Sequence, residues 1–292
     1  MGLHLTQKAL QELPITNLID SVFPQGWRTK CAVMAIVNIT PDSFSDGGEF
    51  LDLNSSLQKV SECIRDGADI IDLGAQSTRP GALDIGCDEE LKRLIPLIRS
   101  IRSNFPKIIL SVDTFQPKVA KEVLNIGVNW INDVTGGRFD NEIFKVVADF
   151  ECPYVLTHSR GDSRTMLQLT RYKDLVNDVI DELKKQTDIA ISRGVDPSRI
   201  IWDPGLGFAK NTVQNLQILR NLDQFKNRNY PLLIGASRKR FIGETLKIKD
   251  PKERIFGNAA VVARCVSAQI DIVRTHEVKE MVQVVQMSES IF

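Results

Sequence analysis

The sequence predicts an α/β protein: a single (β/α)8 TIM barrel over residues 31–292 behind a short N-terminal extension, residues 1–30. Three observations carry that expectation. Eight short apolar runs recur along the chain, with helical patterns between and after them, which is the rhythm of parallel crossovers. The 292 residues suit one barrel plus a tail, since such barrels take about 250 residues. Each run also ends in a hydrogen-bonding side chain, and a closed barrel brings those ends to one mouth. An open doubly wound sheet buries similar strands between similar helices, so periodicity alone leaves it as the alternative.

Taken in order, the extension reads as partly helical near 5–13, with Pro14 as a stop. Strand one, 31–38, opens with seven uncharged residues and is expected to be buried on both faces. Asn38-Ile39-Thr40-Pro41-Asp42-Ser43-Phe44-Ser45-Asp46-Gly47-Gly48 follows as a long loop. Pro41 stiffens its turn, Gly47 and Gly48 let the chain swing, and Phe44 and Asp46 have no evident structural role. Leu57, Val60, Cys63 and Ile64 then recur at helical spacing. The remaining strands are expected at 70–73, 108–112, 130–132, 154–157, 200–202, 232–235 and 270–273.

Between them, Leu91, Leu94, Ile95, Ile98 and Ile101 form one helical face, with Pro96 expected to kink it. Val119, Ala120, Val123 and Leu124 form the next, stopped by Gly127. Helical patterns follow at 143–147, 172–193, 216–219, 259–266 and 278–285, eight helices in all.

Composition narrows the function. The apolar fraction of 42% supports a sizeable core, and 37 basic residues match 37 acidic ones. No overall field would hold nucleic acid or an anionic membrane. The five cysteines form no Cys-x-x-Cys pair and the three histidines have no zinc spacing. A reducing, cytoplasmic setting fits them. Neither a signal-peptide pattern nor an apolar run of about 18 residues is present, and a P-loop motif is absent.

The polar strand ends divide into two sets. Asp113, Asn132, Asp203 and Lys239 suit a flat heterocycle with donor edges, such as a pterin or guanine. A carboxylate accepts two parallel N–H bonds from an aminopyrimidine edge much as it does from a guanidinium. Asn38, Arg79, Arg274 and His276 suit a di- or triphosphate with Mg²⁺. A lone aspartate there would be read as a cap or turn residue, but eight polar strand ends exceed what folding requires, because unpaired buried charge is costly.

These loops resemble those of the dihydropteroate synthases, folate-pathway enzymes of the pterin-binding barrel superfamily. The matching residues are the Asn38–Gly48 loop, Ser77-Thr78-Arg79-Pro80-Gly81, Asp113-Thr114, Ile131-Asn132-Asp133, Asp203-Pro204-Gly205-Leu206-Gly207-Phe208, Ser237-Arg238-Lys239 and Arg274-Thr275-His276. The resemblance implies condensation of 6-hydroxymethyl-7,8-dihydropterin diphosphate with p-aminobenzoate, with diphosphate leaving dissociatively. It implies pterin contacts from Asp113, Asn132, Asp203 and Lys239. It implies diphosphate contacts from Asn38, Arg79, Arg274 and His276, with Asn38 facing Mg²⁺. Phe44, Thr78, Pro80, Phe208, Ser237 and Arg240 would line the p-aminobenzoate slot. Asp46, Lys239, Arg274 and His276 would stand at the chemistry. It also implies a homodimer through the late helices.

Three positions depart from the family pattern. Gln76 stands where Glu is usual, Ser159 where Met is commoner, and Arg240 where bacterial members usually carry Ser. The competing readings are a methyltetrahydrofolate-binding methyltransferase of the same superfamily and a non-catalytic pterin-binding homologue.

Overall fold

In the computed structural model, residues 22–39, 49–76 and 85–292 are described. The helix expected at 5–13 lies outside them. Eight strands form one parallel sheet: β1 (Ala32–Asn38), β2 (Ile70–Gly74), β3 (Ile109–Asp113), β4 (Trp130–Asp133), β5 (Tyr154–Thr157), β6 (Ile200–Asp203), β7 (Leu233–Gly235) and β8 (Ile272–Thr275). Their order is β6-β5-β4-β3-β2-β1-β8-β7. The two ends of that order meet: Trp202 of β6 bridges Leu232 beside β7, and its backbone N–H donates to the Pro231 carbonyl over 2.8 Å. This contact decides for the closed barrel and against the open doubly wound sheet.

Alternation along the strands divides the core in two. One set faces outward under the helices, among them Ile71, Leu73, Leu110, Val112, Ile131, Leu156, Ile200 and Trp202. The other set, Met34, Ile70, Ile109, Trp130, Val155, Ile201, Leu233 and Ile272, fills the barrel interior. Two residues further along β2, β3, β4, β5, β6 and β8 stand Asp72, Ser111, Asn132, Thr157, Asp203 and Arg274. A period of two thus lays a polar layer on an apolar floor.

The floor is closed from below by part of the segment read as an extension. Phe23 stacks on Trp27 with centroids 4.7 Å apart and meets Trp130 edge-on at 5.6 Å. The Trp130 indole N–H donates to the Val22 carbonyl over 2.6 Å, so this buried ring keeps its polar atom paired.

Outside the sheet lie α1 (Glu49–Arg65), α2 (Cys87–Asn104), α3 (Pro117–Asn125), α4 (Glu142–Asp149), α5 (Leu175–Ser192), α6 (Thr212–Arg220), α7 (Leu222–Lys226), α8 (Arg240–Leu246), α9 (Ile255–Ser267) and α10 (Val278–Ile291). Among the described residues there are thus ten α-helices where the sequence suggested eight. The additions are α7 and α8, both too short to show a clear apolar period. α2 continues through Pro96. α5 starts three residues later than its pattern, because the Asp174 side chain accepts from the Asn177 N–H and caps it. β8 begins at Ile272 rather than 270, since Asp271 turns its carboxylate to the Leu232 N–H and Lys226. Among the described residues no helix is long and apolar enough to cross a membrane.

Candidate active site

The polar layer is tied together by one guanidinium. Arg274 donates from Nε to Asp72 over 2.6 Å and from Nη2 to Asp113 over 2.8 Å. The same Asp72 oxygen accepts from the Asn132 amide at 3.0 Å. Burial works against the charged guanidinium, yet Asp72 and Asp113 hold its pKa above the ordinary value. Burial pushes Asp113 up to about 7, against the pull of Arg274. Around this group the buried oxygens Asp72 Oδ1, Ser111 Oγ and Thr157 Oγ1 have no hydrogen-bond partner among the described residues. Three orphaned oxygens in one layer are a cost that a ligand or ordered water would relieve.

Glycines keep the strand ends bare beside this layer. A Cβ on Gly235 would meet Arg274 Cβ at 3.8 Å and Lys239 Nζ at 4.0 Å. A Cβ on Gly74 would stand 3.3 Å from Asn38 Oδ1. Their absence leaves backbone surface against which a flat ring can lie.

The loop after β6 supplies the next wall. Asp203 Oδ1 accepts from the Gly205 N–H at 2.7 Å, and burial raises the Asp203 pKa against the influence of Lys239. Lys239 donates to the Leu206 carbonyl, and its ammonium lies 4.9 Å from the Phe208 ring centroid. Burial lowers the Lys239 pKa to about 8, and Asp203 opposes that shift. The turn that aims Lys239 is unusual: Arg238 adopts φ 62°, a left-handed conformation. It is held by the Arg238 pair with Glu277 at 2.6 Å and by Arg254, which donates to its carbonyl at 2.8 Å.

At the rim, Asn38 Nδ2 lies 3.5 Å from His276 Nε2. Ser237 Oγ sits 2.8 Å from His276 Nδ1 and donates to Glu277 Oε2, also at 2.8 Å. Because the hydroxyl proton goes to the carboxylate, Nδ1–H of the imidazole donates to Ser237, and Nε2 is turned toward Asn38.

The family of pterin binding enzymes matches residues 34–276. A dihydropteroate synthase of Synechocystis sp. is 43% identical over 91% of this chain and 92% of its own length. The chain belongs to the dihydropteroate synthase family. Solved structures agree. A dihydropteroate synthase from Xanthomonas albilineans with 4-aminobenzoic acid superposes with TM-score 0.84 at 35% identity, covering 90% of this chain and 94% of that one. The Xanthomonas albilineans enzyme in complex with 7,8-dihydropteroate gives TM-score 0.81 at 32% identity over the same shares. Named synthases at this identity over nearly the whole chain favour a transferase of this family over the methyltransferase alternative.

Among the residues expected from the resemblance to this family, Asp113, Asn132, Asp203 and Lys239 lie around one interior space. Arg274 pairs with Asp113 of the expected pterin set and with Asp72. Ser237 is buried and has its hydroxyl engaged by His276 and Glu277. Arg240 is exposed on the first turn of α8 and pairs with Glu244 at 3.1 Å. Phe44, Asp46, Thr78, Arg79 and Pro80 lie outside the described residues. Gln76 keeps a buried Oε1 with no hydrogen-bond partner among the described residues. Two contributors went unassigned in the sequence reading. Asp72 was visible at a strand end, and Glu277 followed His276 directly, but the partner of each lies far along the chain.

Proposed function

We propose that this chain condenses 6-hydroxymethyl-7,8-dihydropterin diphosphate with p-aminobenzoate to form dihydropteroate and diphosphate. The observation that carries the reading is the polar layer inside the barrel, where Asp72, Asp113, Asn132, Asp203 and Arg274 surround orphaned oxygens above an apolar floor. An aminopyrimidine edge offers parallel N–H donors to ionised carboxylates, and an amide such as Asn132 both donates and accepts. The pterin ring would lie across the bare backbone at Gly235, with Lys239 and Asp203 along its edge.

The diphosphate would face the rim. Arg274 and, once Nε2 is protonated, His276 would hold its oxygens there, together with Asn38 and Arg79. As the bond from the methylene carbon to the diphosphate oxygen breaks, its electron pair leaves with the diphosphate. Preorganised cations stabilise that growing negative charge without reorganisation. The electron-rich ring carries the positive charge left behind, and the resemblance to the family would put Asp46 against it. The p-aminobenzoate nitrogen then forms the new C–N bond and loses a proton to solvent. An arylamine is nucleophilic without a strong base. Phe208 and Arg240, with Phe44, Thr78 and Pro80, would bound its slot, while the Ser237 hydroxyl is engaged by His276 and Glu277.

Mg²⁺ fits this arrangement. It takes oxygen ligands and is commonly held by one or two protein oxygens together with phosphate. Asn38 has its nitrogen toward His276, which leaves its amide oxygen for a cation. Among the described residues no cluster of three or more His, Cys, Asp or Glu forms a separate cage. When bound, the ion adds positive charge at the leaving group.

A homodimer and a cytoplasmic location belong to the same proposal. Phe256 on α9 is 84% exposed and Leu246 on α8 is 44% exposed, an apolar presentation that suits pairing of late helices. The five cysteines are free, which suits a reducing compartment.

The deciding assay follows dihydropteroate and diphosphate together, from both substrates with Mg²⁺. Stoichiometric formation of the two products supports the reading. Tight pterin binding without turnover would overturn it in favour of the non-catalytic homologue.

A further inference from the structure

A second buried cluster lies behind the loop that joins β6 to α6, and none of the roles above uses it. Lys210 is 2% exposed. Its ammonium has three donors, and three acceptors surround it: His158 Nδ1 at 2.9 Å, the Gly205 carbonyl at 3.1 Å and the Phe208 carbonyl at 3.1 Å. Since an ammonium only donates, Nδ1 of His158 must accept and the ring proton must sit on Nε2. That Nε2 lies 3.1 Å from Glu182 Oε2, which therefore receives the proton's hydrogen bond. Arg160 grips the same carboxylate from the other side and stacks over Tyr172 at 3.9 Å.

The loop held in this way is not relaxed backbone. Gly205, Gly207 and Ala209 have φ of 68°, 82° and 47°. A Cβ at Gly205 would fall 1.9 Å from the His158 carbonyl oxygen, so the two chains touch there. Glycine adopts such angles freely, but Ala209 is a non-glycine residue in the left-handed region and persists there only where surrounding structure over-determines it. Asn215 accepts from the Gly207 N–H at 2.7 Å, and Tyr172 donates to the Ala209 carbonyl at 3.0 Å. Asp203 accepts from the Gly205 N–H, the Phe208 N–H donates to the Gly205 carbonyl at 3.1 Å, and Lys210 adds a hold from the other side of the loop. It draws the Gly205 and Phe208 carbonyls toward itself, and the Leu206 carbonyl between them points the other way, to Lys239.

We infer that Lys210, oriented by His158 and Glu182, is a positioning residue for the transfer reaction: it sets the Leu206 carbonyl and the Phe208 ring, and through them the ammonium of Lys239. The inference rests on the function proposed above and adds residues that touch neither substrate. Burial lowers the Lys210 pKa to about 7 and that of His158 to about 3. The His158 direction agrees with an uncharged imidazole serving as acceptor, whereas burial works against the Lys210 ammonium and Asp203 opposes that shift.

The test replaces Lys210 by Met, which keeps length and removes all three donors. The Michaelis constant for p-aminobenzoate should rise about tenfold while kcat falls less than about threefold, the pattern of lost positioning in binding. A purely structural role would lower the melting temperature and leave the Michaelis constant of the folded enzyme unchanged, which would overturn the inference. Two measurements work without turnover, and so separate this inference from the function proposed above. Hydrogen exchange in peptides covering 203–211 should accelerate in K210M more than in those covering 133–141. The ¹⁵N spectrum of the imidazoles should show His158 as the Nε2–H tautomer in the wild type, and the resonance of its unprotonated Nδ1 should shift in K210M as that nitrogen loses its donor. Unchanged exchange in 203–211 or an Nδ1–H tautomer in the wild type would each overturn the inference. If K210M does not fold, the half-buried change Glu182→Gln carries the test. It should raise the same Michaelis constant about threefold, and an unchanged value would overturn the inference.

Discussion

Arg274 and Asp72 are 202 positions apart in the chain, yet Nε of one lies 2.6 Å from a carboxylate oxygen of the other inside the barrel. The second guanidinium nitrogen is occupied by Asp113 at 2.8 Å. A charge-assisted bond of this kind contributes about 1.5–3 kcal/mol. Arg274→Ala should therefore weaken binding of the dihydropterin diphosphate about 10- to 200-fold, a range set by the same energies. Isothermal titration with the diphosphate and with the free pterin alcohol separates the contributions. Equal loss for both ligands would place Arg274 with the ring, and loss confined to the diphosphate would place it with the leaving group. Unchanged binding of both would remove it from the site.

Asp113 should impose a pH dependence on ligand binding. Its pKa is raised from 3.8 to about 7, chiefly by burial. The folded state thus holds this proton more tightly than the unfolded chain does. The associated stability is complete below about pH 4 and disappears as pH rises through about 7. A ligand that donates N–H bonds to the carboxylate selects the ionised form. Pterin affinity should then fall about tenfold per pH unit below the pKa, with about one proton released on binding at pH 6. Calorimetry in buffers of different ionisation enthalpy reads that proton. In Asp113→Asn the proton release should vanish, and its persistence would assign the titration to another group.

Ser237 links an imidazole to a carboxylate. Removing its hydroxyl in Ser237→Ala leaves His276 Nδ1 and Glu277 Oε2 without their shared partner. One neutral hydrogen bond is worth about 1 kcal/mol, so the Michaelis constant for the diphosphate substrate should rise roughly fivefold. The p-aminobenzoate constant should move less. A change confined to p-aminobenzoate would return Ser237 to the slot expected from the family.

Phe23 is 6% exposed in the floor cluster, stacked on Trp27 and edge-on to Trp130. Truncating a buried Phe to Ala costs about 3–5 kcal/mol. Phe23→Ala should lower the unfolding free energy by that amount in urea, with kcat unchanged at 25 °C for the folded enzyme. A loss below about 1 kcal/mol would mean that residues 22–30 add little to the barrel.

Much of this protein was legible in its residues. Each of the eight strands was placed from apolar runs, because a strand covered on both faces is apolar up to the polar residues near its C-terminal end. The position of polar groups at strand ends followed from the same pattern, and so did Asp113, Asn132 and Asp203 as one set. The loop motifs around Asn38, Asp203 and Ser237 pointed to the family that the relatives bear out. Helices α7 and α8 were missed because five and seven residues are too few to show an apolar period.

What the residues could not settle was decided across the barrel. Closure depends on Trp202 meeting Leu232, a contact between strand edges that periodicity does not record. The docking of Phe23 under Trp130, the turn of Arg274 toward Asp72 and Asp113, and the burial of Lys210 against His158 each join residues distant in sequence. Apolar spacing reports which face of an element is buried, since that is a local property of the helix or strand. Which charge meets which inside the mouth depends on strand register and barrel closure, and only the folded chain supplies those.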